Sequence, residues 1–147
     1  MFSKTETQAI KKEFWIQFGQ TYPRKWLLHN TKIKDVSFKF EIEPRKVAVG
    51  FFIECKSDDL RQIYFEKMVS LQTILIENYL SDALFEEHFT LENGKIISKI
   101  WVEKQGIKLY NKDHWDEIYT FFYEKMEQFE YFFYEYQDYI QDLEINT

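Results

Sequence analysis

Cysteine is almost missing from this chain: Cys55 is the single one among 147 residues. No intrachain disulfide can form, which fits a reducing compartment. Proline (2) and glycine (4) are scarce, so there is little material for long flexible loops. The opening residues, Met1 to Glu6, hold no apolar signal-peptide core. The longest apolar run, Val47 to Ile53, is far too short to span a bilayer. These absences describe a cytoplasmic protein without a membrane partner, and its length suits a single domain over residues 1–147.

Several chemistries lack their residues as well. His29, His88 and His114 are widely separated, and there is no Cys-x-x-Cys, His-x-x-x-His or calcium-loop pattern. No metal or other cofactor is expected. Four isolated glycines do not make a phosphate-cradling loop. Cys55 falls in a strand pattern and reads as a small core hydrophobe.

What the chain has in excess is aromatic: 15 Phe, 10 Tyr and 4 Trp. Each buried ring removes a large apolar area from water, so core volume is not limiting. Charge is unevenly placed. Residues 1–56 carry a net charge of +5 and residues 57–147 carry −11. An acidic protein is a poor default nucleic-acid binder, since phosphate contact relies on clustered positive charge. A weak nucleic-acid interface would rest on Lys25, Lys32, Lys34, Lys39, Arg45 and Lys46, whose parities scatter them into a diffuse patch.

The periodicities predict an α+β fold. Ser3 with Glu6 has capping-box spacing, and Ile10, Phe14 and Phe18 then mark a helix over about residues 5–19. Trp26 to Leu28 reads as a short strand. Val36 to Ile42 and Val47 to Cys55 alternate with period two and form a hairpin across Pro44-Arg45. The second of these strands is apolar on both faces, so it should be central. Ser57 caps a helix reaching about Tyr79. Residues 84–91 and 95–103 form a second hairpin, closed by Asn93-Gly94. A short extended piece, Ile107 to Tyr110, follows. From Trp115 to Leu143, apolar residues at steps of three or four predict a last helix ~42 Å long. Together these give an antiparallel sheet of about five strands with an N-terminal helix, a middle helix and a long aromatic C-terminal helix.

Two features bear on function. The last helix is apolar on more than one side, so it should pack on more than one side. Phe122, Phe129, Phe132, Phe133, Tyr136 and Tyr139 are the expected interface of a homodimer, because aromatic rings are enriched where proteins meet. The first functional reading is therefore a non-catalytic interaction or assembly module. The second centres on Glu54-Cys55-Lys56. Metal-dependent nucleases of the PD-(D/E)xK type hold an ion between two carboxylates and place a lysine two residues after the second. Glu54 and Lys56 fit that triplet, and Asp35 or Glu41 would supply the other carboxylate. Such a triplet is common by chance, and those nucleases also need a parallel crossover that is not predicted here.

A string of landmarks carries a resemblance. These are Phe14-Trp15 with Phe18-Gly19, Thr31-Lys32-Ile33-Lys34, Phe38-Lys39-Phe40, Arg61 with Phe65-Glu66, Gly94-Lys95 with Ser98-Lys99-Ile100, and Asn111 with Asp113-His114-Trp115. In this order, over roughly residues 12–140, the chain resembles a bacterial family known only as domain of unknown function 4268. The resemblance implies no activity and brings no catalytic residue. It implies an accessory role, since some members stand behind a nuclease-like domain in longer chains. This chain starts at the domain itself, so a preceding domain's nuclease function is not expected of it.

Overall fold

A computed structural model describes residues 2–143. Helix α1 (Lys4–Thr21) starts at the anticipated capping box: the Ser3 hydroxyl accepts from the Glu6 N–H (3.1 Å), and the Glu6 carboxylate accepts from the Ser3 N–H (3.3 Å). The helix runs past Gly19, and Tyr22 ends it by donating its N–H to the Phe18 carbonyl.

Strands β1 (Val36–Glu43) and β2 (Lys46–Ile53) pair antiparallel with Val36 opposite Ile53 and Phe40 opposite Val49. Strands β3 (Leu84–Thr90) and β4 (Ile96–Gln105) form the second hairpin. Gly94 takes φ +87° at its turn, a conformation open to glycine at no steric cost. The sheet order is β1-β2-β4-β3 with every pairing antiparallel, which puts β2 inside the sheet.

The sheet has four strands, not five. Trp26 to Leu28 is a strap rather than a strand. The Leu27 N–H goes to the Glu130 carboxylate (2.7 Å), and only the Leu28 carbonyl reaches β1, accepting from Phe38 (3.0 Å). A ladder cannot form once a side chain has taken the donor. Ile107 to Tyr110 is likewise no strand: Ile107 and Leu109 plug the core, and the Leu109 carbonyl accepts from the Trp115 indole (2.6 Å).

The middle helix is two. Helix α2 (Asp58–Ser70) stops at Leu71, whose φ of −101° and ψ of 5° interrupt the helix, and α3 (Gln72–Asn78) buries Leu75. The Ser70 hydroxyl bonds back to the Lys67 carbonyl, a local competition with the helical ladder that bends helices.

Helix α4 (Trp115–Gln141) is the hub. One side faces the sheet, where Phe129 and Phe133 meet Phe38. Another meets α1, with Tyr119 and Phe122 against Phe14 and Phe18. A third meets α2 and α3: Phe132 packs on Tyr79, and the buried Lys67 ammonium donates to the carbonyls of Tyr139 and Asp142. The several apolar sides of this helix thus find their partners within one chain. Phe14, Phe122, Phe129 and Phe133 are fully enclosed, each contributing about 1.5–3 kcal/mol of burial.

Candidate functional site

All helices pack on one face of the sheet, because the core cluster holds the inward residues Val36, Phe38, Val49, Phe51, Ile100 and Val102 together with helical side chains. The opposite face carries Lys39, Glu41, Phe52, Glu54, Lys99 and Trp101, brought side by side by the register. It builds its own cover. Phe52 is 3% exposed, with the Lys39 and Lys99 ammoniums 4.6 and 5.2 Å from its ring centre. Lys99 also lies over Phe89 (4.3 Å) and Trp101 (4.7 Å). Cations over ring faces are held by the ring quadrupole.

The two nuclease-type carboxylates are both on this face, but not together. Glu41 stands opposite Ala48, and Glu54 is six residues further along the second strand. At ~3.3 Å per residue they are roughly 20 Å apart, too far to share an ion. Each has a lysine instead: Glu54 pairs with Lys39 (2.9 Å) and Glu41 with Lys99 (3.0 Å). Lys56 is exposed and makes no ion pair or hydrogen bond among the described residues. The Asp35 backbone meets that of Glu54, its main-chain carbonyl accepting the Glu54 N–H (2.8 Å), and both residues line one cleft. Among the described residues no three His, Cys, Asp or Glu side chains gather to hold a metal.

Asp35 and Glu54 line a cleft of about 380 Å³ with His29, Lys34, Ser37 and Lys95. Three pieces of chain build it: the loop before β1, the end of β2 and the foot of the second hairpin. Lys95 reaches in from that hairpin, its ammonium 3.4 Å from the Glu54 carbonyl. The loop is pinned from behind. The buried Thr31 hydroxyl donates to the Val36 carbonyl (2.8 Å) and accepts the Ile33 N–H (3.2 Å), while Gln137 and Gln141 of α4 reach the Thr31 carbonyl. Leu28, Lys32 and Asp35 adopt φ of 46°, 63° and 64°. Non-glycine residues persist in this region only where their surroundings over-determine them, often at binding sites.

Other titratable groups are structural. Burial, then the Asp35 carboxylate, push the Cys55 thiol up, so it stays protonated. The Trp101 indole, donating at 2.8 Å, holds the Glu103 carboxyl below its usual range, with help from Gln105 and Lys46. The buried Glu130 carboxylate accepts from Arg24 and the Leu27 N–H.

The expected dimer rings are placed differently from the reading of the sequence. Phe122, Phe129, Phe132 and Phe133 are at most 1% exposed within the single chain, and Tyr136 and Tyr139 are half-buried. Their surfaces are already used by the sheet, α1 and α2–α3. The rings α4 does expose are Tyr131 (55%) and Tyr134 (57%). The basic set also divides: Arg45 and Lys46 sit at the β1–β2 turn and Lys32 and Lys34 before β1, at opposite ends of the hairpin. Lys39 is tied to Glu54, and Lys46 to Glu43 and Glu103.

Fold and surface define an α+β domain whose antiparallel sheet is helix-covered on one face only. The chain belongs to the family described as domain of unknown function 4268, which matches residues 10–137. No curated protein and no solved structure matches it. No helix among the described residues is long and apolar enough to cross a membrane.

Proposed function

We propose that this domain is a non-catalytic protein-interaction module that docks a basic partner surface on the outward face of α4. The observation that carries this is a single exposed stripe, Thr120, Glu124, Tyr131, Tyr134, Glu135 and Asp138, spaced as one helix face. Two rings stand in it with more than half their surface in water, and acids surround them. Exposed aromatics supply contact area at low entropic cost, and the acids select partners of opposite charge. A homodimer built by facing two such stripes would set acid against acid, so self-association through this face is disfavoured. An accessory role beside a larger enzyme or defence assembly fits such a module.

Photo-crosslinking from positions 131 and 134 in the native host tests the proposal, with position 45 as control. A defined protein adduct from the first two positions only is expected. Equal or absent adducts at all three would sink the idea. The competing reading, a metal-dependent nuclease, would draw its carboxylates from Asp35 and Glu54, which line one cleft. Manganese-dependent DNA cleavage abolished by Glu54→Ala would replace the module with that enzyme.

A further inference from the structure

The cleft before β1 is a different surface from the α4 stripe, and its charges are unusual in being left open. Lys34 makes no hydrogen bond or ion pair among the described residues, and Lys95 touches only a carbonyl. Asp35, in the same cleft, has no cation and no side-chain hydrogen bond among the described residues. Glu54 is already neutralised by Lys39. Ser37 is 5% exposed, yet its hydroxyl makes no hydrogen bond among the described residues and lines the cleft. Its oxygen opens onto the cleft, where water or a ligand can meet it. Two open ammoniums, one open carboxylate and a cleft-lining hydroxyl therefore share a pocket of small-molecule size.

We propose that this cleft binds a small phosphorylated polyol, with the phosphate between Lys34 and Lys95 and a ligand hydroxyl donating to Asp35. The lysines supply charge-assisted bonds to phosphate oxygens. The Asp35 carboxylate repels a bare anion but accepts from a hydroxyl, so it selects ligands that carry both groups. Ser37 adds a donor at the floor. The left-handed residues that shape the loop are fixed without ligand by Thr31 and the two α4 glutamines, so the site is pre-organised and little ordering is lost on binding.

The test is amide NMR of the full chain titrated with glycerol 3-phosphate, inorganic phosphate and glycerol, without divalent metal. Glycerol 3-phosphate is expected to shift amides in residues 29–37, 54 and 95, and to bind more tightly than phosphate. Glycerol should shift none. Lys34→Ala with Lys95→Ala, both at exposed positions, should weaken binding by roughly tenfold or more. Asp35→Asn tolerates the same backbone and should erase the preference for glycerol 3-phosphate over phosphate. Shifts that are absent, lie elsewhere or survive the double lysine variant would each overturn the assignment. None of these outcomes bears on the α4 docking face.

Discussion

The ring of Phe52 lies across Gly50, two residues back on the same strand, so closely that a Cβ at residue 50 would stand 2.7 Å from its Cε1. The missing side chain is what lets Phe52 fold down beneath Lys39 and Lys99. Gly50→Ala should displace the ring and cost about 1–3 kcal/mol as an overpacked site. Denaturant unfolding measures this. Adding Phe52→Leu should recover part of the loss, whereas an unchanged loss would place the damage elsewhere.

Glu130 anchors the 24–27 strap with a buried carboxylate. Glu130→Ala leaves the Leu27 N–H without its acceptor and Arg24 with the more distant Glu127 (3.9 Å). A loss of about 3–5 kcal/mol is expected, as for a broken buried pair. Hydrogen exchange should quicken first at Leu27, ahead of the sheet. Uniform quickening would mean that the strap is part of the global unit.

Tyr119 donates its hydroxyl to the Phe14 carbonyl (2.8 Å). Burial, then Asp116 and Glu13, push its pKa up to about 12 from 10.0. Between those values the unfolded chain loses a proton that the folded chain keeps, so stability falls as pH rises. The contribution is fully present below pH 10 and fades towards pH 12, a loss on the order of 1–2 kcal/mol. Tyr119→Phe should flatten this part of the stability profile. An equally steep profile in the variant would assign the alkaline loss to other groups.

Cys55 is 3% exposed with its thiol pKa raised by burial, so thiol reagents should modify it only through unfolding. Modification rates that track the global unfolding equilibrium across denaturant are expected. Fast labelling in native buffer would show that the end of β2 opens by itself.

The elements that the sequence made readable are those whose signals are local. Val36 to Ile42 and Val47 to Ile53 alternate because one face of each meets the core, and Asn93-Gly94 supplies the left-handed turn. The strap reads as a strand in the sequence because its decisive partner, Glu130, lies 103 residues beyond Leu27. The break at Leu71 follows a residue whose hydroxyl bonds back into its own helix, a signal the apolar periodicity does not carry. The site followed the same division. Parity puts Glu41 and Glu54 on one face, but only the register reveals the distance between them and the lysine each one takes. Lys99 among Phe52, Phe89 and Trp101 needs the β2–β4 pairing before it can be seen. The cleft needs Lys95 to arrive from a second hairpin.

Helix α4 comes last among the described elements and touches every layer. During synthesis the apolar face of the sheet, with Phe38 and Phe51, is therefore complete before the α4 rings Phe129 and Phe133 that meet Phe38 exist. Partly made chains expose that face at the ribosome, the kind of species prone to aggregate. The order of elements thus leaves the nascent chain an exposed apolar face that the finished fold, with α4 in place, no longer has.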